Sequence, residues 1–180
     1  ASGRTLSGAI TVTAGSIRLG ETGTLGSTVS MSGGTLDADE TSTVSGALSQ
    51  SGAITIDVAS GETLTYSGAS LSLGANTLTM SGGGRLSNTN AFVLNHSSSK
   101  LLLNSITVDN VSTSSANSGL DVDDNSTVTS LTVAYTTPVL IDTGKSLSGA
   151  ITVTAGSIRL DEAGTLGSTV SMSGGTLDAD

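Results

Sequence analysis

Apolar residues alternate with polar residues over three to five positions all along the chain, and then the pattern breaks. Clear examples are Ile10/Val12, Ile17/Leu19, Ile54/Ile56, Leu64/Tyr66, Leu71/Leu73 and Leu78/Met80. An alternation with a period of two residues predicts a short β-strand that buries one face. The breaks carry Gly, Asn, Asp and Ser, which tolerate the backbone geometry of turns. The pattern therefore predicts many short strands that are joined by tight turns.

The same pattern returns at a nearly constant spacing along the chain. The segment Leu6–Leu19 aligns with Leu25–Ala38, which places Leu6 on Leu25. Successive turns are predicted to begin at Leu6, Leu25, Val44, Leu64, Leu86, Ile106, Val128 and Leu147. Because one such turn cannot bury its own apolar face, the turns must stack in parallel. A left-handed helix would need a strict six-residue period, which is absent, and parallel crossovers favour the right hand. The prediction is an all-β, parallel β-solenoid, a right-handed β-helix with turns (rungs) of about 19–22 residues.

A much longer repeat contains these turns. Residues Arg4–Asp39 and Lys145–Asp180 are identical at 32 of 36 positions, with Arg4 corresponding to Lys145. We interpret residues 1–180 as a single continuous β-solenoid, with 4–144 as one 141-residue tandem unit and 145–180 as the start of the next unit. An engineered duplication would give the same pattern. The tandem interpretation predicts partners of the same kind, through homotypic end-to-end or tandem-array contacts.

The alignment of Leu6 with Leu25 makes specific predictions for the first two turns. Inward-facing side chains are predicted for Leu6, Ile10, Val12, Ile17, Leu19, Leu25, Val29, Met31 and Leu36. Leu6 should stack on Leu25, Ile10 on Val29 and Ile17 on Leu36. Arg18 and Asp37 should then lie side by side on the outer surface, as should Arg159 and Asp178, because each follows an inward-facing residue.

Composition and charge exclude several classes of protein. Ser, Thr and Gly make up 84 of the 180 residues, and all three are weak helix formers. The absence of cysteine excludes a disulfide scaffold and a cysteine-based zinc site. A net charge of −9 disfavours nucleic acid as a partner, and apolar runs no longer than Ala91–Leu94 are too short for membrane insertion as a helix. An acidic, Ser/Thr-rich chain of this kind is typical of an extracellular or cell-surface microbial protein.

Two segments carry a resemblance to a known group of proteins. Residues 61–83 (GETLTYSGASLSLGANTLTMSGG) and residues 7–19 (SGAITVTAGSIRL) resemble the right-handed β-helix repeats of autotransporter passengers and filamentous-haemagglutinin-type exoproteins. The resemblance implies a secreted or surface-displayed microbial protein with an adhesive or scaffolding role. It transfers no functional residue, since those proteins share no catalytic motif that could be matched.

Two acidic segments are the candidate metal sites. Residues 36–44 read LDADETSTV and residues 120–128 read LDVDDNSTV. Carboxylates at alternate positions of one turn could hold Ca²⁺, which prefers six to eight oxygen ligands. The calcium candidates are Asp37, Asp39, Asp121, Asp123 and Asp124. An EF-hand that began at Asp121 would need Gly and Glu where Ser126 and Thr132 stand. Solvated acidic turns whose Asp side chains cap backbone amides remain the alternative.

Three functions are compatible with a solenoid of this composition. We predict a structural segment of a long secreted or surface-displayed tandem-repeat protein, which would act as a filament, stalk or adhesin shaft. The first alternative is a carbohydrate-binding surface for a cell-surface or matrix glycan, because Thr11/Thr13, Ser30/Ser32 and Ser49/Ser51 form an outward hydroxyl ladder. The second is a polysaccharide-degrading β-helix enzyme.

The sequence disfavours the enzyme. An acid–base pair needs clustered carboxylates with a basic residue in reach. The predicted alignment places Asp39 near Asp57 with Arg18 as the nearby base, and it places the single histidine, His96, on another turn. We therefore predict that the chain is not an enzyme.

Overall fold

The chain forms strands throughout, and the structure, a computed structural model, describes residues 3–115, 119–167 and 169–179. Within these ranges the secondary structure consists of β-strands and turns without a helix. In chain order the strands are β1 (Thr5–Leu6), β2 (Ile10–Val12), β3 (Ser16–Leu19), β4 (Thr24–Leu25), β5 (Val29–Met31), β6 (Thr35–Ala38), β7 (Ser42–Val44), β8 (Leu48–Gln50), β9 (Ile54–Val58), β10 (Thr63–Tyr66), β11 (Leu71–Ser72), β12 (Thr77–Ser81), β13 (Arg85–Asn88), β14 (Phe92–Leu94), β15 (Lys100–Asn104), β16 (Thr107–Thr113), β17 (Gly119–Val122), β18 (Ser126–Val133), β19 (Pro138–Ile141), β20 (Ser146–Val153), β21 (Ser157–Leu160), β22 (Thr165–Leu166), β23 (Val170–Met172) and β24 (Thr176–Ala179).

The strands stack in parallel as about nine turns of a solenoid with three faces. Face 1 begins with β1, β4 and β7, face 2 with β2, β5 and β8, and face 3 with β3, β6 and β9. In the sixth, seventh and eighth turns, the long strands β16, β18 and β20 run through faces 1 and 2 without a break. The predicted all-β, right-handed parallel β-solenoid is confirmed.

The predicted alignment of the first turns is also confirmed. Leu6 pairs with Leu25 and Leu25 with Val44 on face 1, as predicted. Ile10 pairs with Val29 on face 2, and Ile17 pairs with Leu36 on face 3. The predicted step from Leu64 to Leu86 is correct as well.

Four later steps between turn starts were predicted wrongly, each by two residues. Val44 pairs with Tyr66 rather than Leu64, Leu86 with Val108 rather than Ile106, and Val128 with Gly149 rather than Leu147. The step from Ile106 to Val128 is the fourth, since Val128 pairs with Val108. A slip of two residues keeps every apolar side chain on the same face, because side chains alternate with a period of two. The hydrophobic pattern alone therefore does not distinguish these alignments.

The interior of the solenoid is one continuous apolar core that extends from Val12 to Ile158. Of the nine residues predicted to face inward, six are buried: Val12, Leu19, Leu25, Val29, Met31 and Leu36. Ile10 and Ile17 are partly buried against the core. Leu6 is the exception, because its side chain is 55% exposed. It lies in the first described turn, which has a neighbouring turn on one side only.

Glycine at one corner allows neighbouring turns to approach each other closely. Gly34 has a φ of +86°, and a Cβ atom built there would lie 2.2 Å from the carbonyl oxygen of Gly15 in the preceding turn. The next residue, Thr35, donates its N–H to that same oxygen at 2.9 Å. A side chain at position 34 would therefore break the contact between two turns as well as strain the backbone.

Face 2 contains one discontinuity, between β8 and β11, where side chains replace the strand ladder. The N–H of Leu48 donates to the hydroxyl of Tyr66 at 3.1 Å, and that hydroxyl donates to the carbonyl of Ala69 at 2.6 Å. The Gln50 amide donates to the carbonyl of Leu73 at 3.0 Å. The Tyr66 ring also stacks on Phe92 of the following turn, with ring centroids 5.7 Å apart. The two side chains thus keep backbone groups bonded where the turns lengthen.

The repeat offers a matched pair of positions that differ only in how they are covered. Leu36 and its copy Leu177 occupy the same place in identical segments, but Leu36 is 1% exposed and Leu177 is 50% exposed. We expect Leu36→Ala to lower the free energy of unfolding by about 2–5 kcal/mol, since it leaves a cavity in a packed core. Leu177→Ala should lower the free energy of unfolding by less than about 1 kcal/mol, because the Leu177 side chain is half exposed to water. Urea unfolding followed by circular dichroism measures both, and equal losses would contradict the stacking order.

Candidate functional site

The charged side chains gather on face 3 and on the corner that follows it. Arg18 on β3 is aligned with Asp37 on β6, as predicted, and its Nε lies 4.0 Å from the Asp37 carboxylate. Its closer ion pair is with Asp39, two residues further along. Both carboxylates predicted as calcium ligands in this segment, Asp37 and Asp39, therefore lie next to a guanidinium group.

The second copy of this segment uses its arginine differently. Arg159 on β21 is aligned with Asp178 on β24, as predicted. Its guanidinium also pairs with Asp161 of its own turn, at 2.8 Å. The equivalent of Asp161 in the first copy is Gly20, one of the four positions at which the two copies differ. A single exchange of Gly for Asp thus adds a partner for the arginine within its own turn.

Lysines from neighbouring turns hold two of the other calcium candidates. Lys100 on β15 contacts Asp121 on β17, with 2.6 Å between Nζ and Oδ2. Lys145 contacts Asp124, with 3.0 Å between Nζ and Oδ1. The hydrogen bond that Lys100 donates to Asp121 raises the pKa of Lys100, and the hydrogen bond that Lys145 donates to Asp124 lowers the pKa of Asp124. Each pair ties one turn to the next across the outer surface.

Asp123 belongs to a column of carboxylates that the sequence analysis missed. It follows Val122, Asp142 follows Ile141 and Asp161 follows Leu160, and these three apolar residues are aligned on successive turns. Partial desolvation raises the pKa of Asp123 although the residue is exposed, and the charges of Asp142 and Asp121 raise it further. The period-two pattern ends at these corner residues, so the spacing of apolar positions gave no signal for the column.

The described residues contain no group of three or more His, Asp or Glu side chains arranged to hold a metal ion. The carboxylates at Asp37, Asp39, Asp121 and Asp124 have cationic partners within the protein. Calcium binding at these residues and at Asp123 stays a prediction, without an assembled ligand set in the described part of the chain.

The residues considered for hydrolytic chemistry are spread over several turns. Asp57 is aligned with Asp37 rather than with Asp39, and its carboxylate accepts a hydrogen bond from the Ser81 hydroxyl. His96 is exposed, and its Nδ1 accepts the backbone N–H of Ser98 at 3.1 Å. The arrangement gives no acid–base pair among these named residues.

The outward hydroxyl ladder forms as predicted and lines a shallow groove. Thr11, Ser30 and Ser49 are aligned on β2, β5 and β8, with 3.2 Å between the Ser30 and Ser49 hydroxyls. The groove along them has a volume of about 390 Å³. Of the three aromatic residues, Tyr66 and Phe92 are buried and Tyr135 is exposed. Sugar-binding sites usually stack the ligand on an exposed aromatic ring. Glycan binding in this groove stays a prediction.

No helix long and apolar enough to cross a membrane occurs in the described part of the chain.

Neutralising the neighbouring carboxylates Asp123 and Asp124 should change stability in opposite directions. Asp123→Asn should raise the melting temperature at neutral pH by a small amount, because it removes a charge that is disfavoured by partial desolvation and by Asp142. Asp124→Asn should lower the melting temperature, because it removes the partner of Lys145. Because the pKa of Asp123 is raised in the folded chain, the destabilisation that its charge causes is relieved as the pH falls through that pKa. Because the pKa of Asp124 is lowered in the folded chain, the stability that its pair with Lys145 contributes is lost as the pH falls through that pKa.

Thermal unfolding of both variants at neutral and acidic pH measures these effects. Both differences from the unsubstituted chain should vanish at acidic pH, where both carboxyls are protonated. A destabilised Asp123→Asn variant at neutral pH would show that this carboxylate binds something favourable, such as a cation.

Comparison of the chain with protein-family models, with curated proteins and with solved structures finds no match.

Proposed function

We propose that this chain is a structural segment of a long, secreted or surface-displayed tandem-repeat β-solenoid that acts as a filament, stalk or adhesin shaft. In this function the outer surface needs no catalytic group, and the useful property is stiffness. Stiffness follows from stacking, because the strands of each turn pair with those of the next, with one interruption on face 2 between β8 and β11. The resemblance of residues 7–19 and 61–83 to autotransporter passengers and related exoproteins supports a location outside the cell.

The observation that carries the proposal is the junction between the two copies of the repeat. Strand β20 belongs to the second copy, yet seven of its residues pair with β18 of the first copy. Beneath them, Leu131 packs in register with Ile151, and Val139 with Ile158, and all four are at most 1% exposed. The core therefore continues across the repeat boundary.

The two copies also repeat the same internal contacts. On face 2, Ile10 lies on Val29 in the first copy and Ile151 lies on Val170 in the second. On face 3, Arg18 lies beside Asp37 as Arg159 lies beside Asp178. A 141-residue unit thus returns the solenoid to the same local arrangement, which is the geometric requirement for a rod of repeated units.

Chains with one, two and three added 141-residue units test the rod directly. Each unit contains seven turns, so each should lengthen the particle by about 34 Å, at about 4.8 Å per turn. Small-angle X-ray scattering should show this growth at a constant cross-sectional radius. The control is a chain in which a Gly/Ser linker separates the units, since it should behave as beads on a flexible string. Equal scattering from the chains with and without Gly/Ser linkers between the units would contradict the proposal.

A further inference from the structure

Three segments of the chain match the sequon Asn-X-Ser/Thr, the acceptor sequence for N-linked glycans. They begin at Asn95, Asn110 and Asn125, and all three lie in the described part of the chain. Transfer of a glycan needs an accessible asparagine amide nitrogen, and the hydroxyl two residues further along must lie in a surface segment that an enzyme can bind. The solenoid places the three sequons in different surroundings, so the fold discriminates between them.

The sequon at Asn110 lies wholly within strand β16, which is paired with strands of both neighbouring turns. Nδ2 of Asn110 donates to the carbonyl oxygens of Asn88 and Thr89 in the preceding turn, at 2.5 Å and 3.3 Å. The backbone N–H of Asn110 donates to Oδ1 of Asn88 at 3.2 Å. A glycan on this Nδ2 would disrupt the contact between two turns, so the folded chain closes this sequon.

The sequon at Asn125 is open only at its first residue. Asn125 is exposed at the corner before β18, where its Oδ1 accepts the Ser146 hydroxyl at 3.0 Å. The middle residue, Ser126, is 4% exposed, and its hydroxyl donates to the carbonyl of Asp124 at 2.9 Å. Thr127 lies in β18 and is aligned with strand residues of both neighbouring turns. An enzyme would have to pull the start of β18 out of its sheet to bind this segment.

The sequon at Asn95 lies outside the strands, in the connection between β14 and β15. Its three residues, Asn95, His96 and Ser97, are all exposed. The connection has a fixed base, because Ser99 is 0% exposed and donates its N–H to the carbonyl of His96 at 2.9 Å. The Ser99 hydroxyl donates to the carbonyl of Gly74 in the preceding turn at 2.5 Å. The fold thus presents this entire sequon on its surface.

The amide of Asn95 is also held in a defined orientation. Its Oδ1 accepts the backbone N–H of Gly74 at 2.9 Å. Because only the oxygen of an amide group can accept a hydrogen bond from an N–H, this contact determines which end of the side chain bonds the preceding turn. Nδ2 takes no part in that bond, so a glycan on Nδ2 leaves the contact between Asn95 and Gly74 intact.

We infer that Asn95 is the site at which the folded chain accepts an N-linked glycan. The inference rests on the proposed function, because export brings a chain to the compartments where such transfer takes place. The donor is an oligosaccharide activated at C1 as a phosphate or pyrophosphate ester. Nδ2 of Asn95 forms a bond to C1, the bond from C1 to the phosphate oxygen breaks, and one Nδ2 proton passes to a base of the transferring enzyme.

The position of Asn95 suits a rod of repeated units. The connection from β14 to β15 is a corner between faces 2 and 3, outside the core contacts that join successive turns. In a tandem array the same corner of every 141-residue unit would carry one glycan, at intervals of about 34 Å. The glycans would then cover one edge of the rod and leave its stacking unchanged.

Enzymatic transfer to the folded, full 180-residue chain tests the inference. The probe is a purified oligosaccharyltransferase specific for Asn-X-Ser/Thr, with a lipid-linked oligosaccharide as donor, and peptide mass spectrometry locates the glycan. Asn95 should gain a glycan, whereas Asn110 and Asn125 should gain at most about a tenth as much, because their sequons must first leave the strands. Short synthetic peptides that carry each sequon are the control, and all three should be modified because no fold restrains them.

Matched variants separate the role of the amide from that of the surrounding turn. Asn95→Asp removes Nδ2 but keeps an oxygen that can accept the N–H of Gly74, and Ser97→Ala removes the hydroxyl of the sequon. Each should abolish transfer at this site. Ser97→Thr keeps the sequon and Ser98→Ala alters only the adjacent exposed hydroxyl, so both should be modified as the unsubstituted chain is. Thermal unfolding of each variant controls for damage to the fold.

An Asn95 that stays unmodified, whether in the folded chain or in its peptide, would overturn the inference. Equal modification of Asn95 and Asn110 in the folded chain would overturn it as well, since the fold would then not discriminate between the sequons. The proposed rod would survive either result, because the scattering of joined units does not depend on a glycan. Conversely, units that scatter as flexible beads would contradict the rod and leave transfer to Asn95 measurable.

Discussion

Parallel stacking of turn upon turn is the interaction on which the rest of the structure depends. A turn of about 20 residues has three short strands and a few inward side chains, and it cannot enclose them alone. Coverage decides their environment, as identical residues show: Met31 is 1% exposed beneath a third turn, and its copy Met172 is 42% exposed in the last described turn. Burial in this fold is therefore a property of neighbouring turns more than of local sequence.

Stacking also determines what the polar residues must do. The corner at Gly34 brings backbone groups of successive turns together, and Gly34 has no side chain where one would collide with Gly15. Where the ladder on face 2 is interrupted, the hydroxyl of Tyr66 and the amide of Gln50 bond the backbone groups instead. On the outside, ion pairs such as Lys100 with Asp121 join one turn to the next. These groups support a stack, and ion pairs of this kind occupy four of the five carboxylates that sequence alone offers as calcium ligands.

The sequence predicts the fold class because a parallel β-solenoid accounts for both the period-two alternation and the regular return of the turn starts. It predicts the first three turns to the residue, since Leu6, Leu25 and Val44 lie at equal spacing. It fails by two residues at Val108 and Gly149, where turns lengthen and a shift of two leaves the apolar face unchanged. The partners of surface charges are harder still: the register places Arg18 beside Asp37, but side-chain reach selects Asp39. Corner residues such as Asp142 follow no period, so their alignment appears only in three dimensions.

Native-state hydrogen exchange tests the dependence on stacking most directly. If each turn is stable only through its neighbours, amide protection should be greatest in the middle strands β12, β15 and β17 and should fall steadily toward the first and last described turns. The identical segments provide an internal standard, because Val29 and Val170 have the same local sequence and different coverage. The account predicts much slower exchange at Val29 than at Val170. Equal protection at these two valines, or protection that follows local sequence rather than position in the stack, would contradict it.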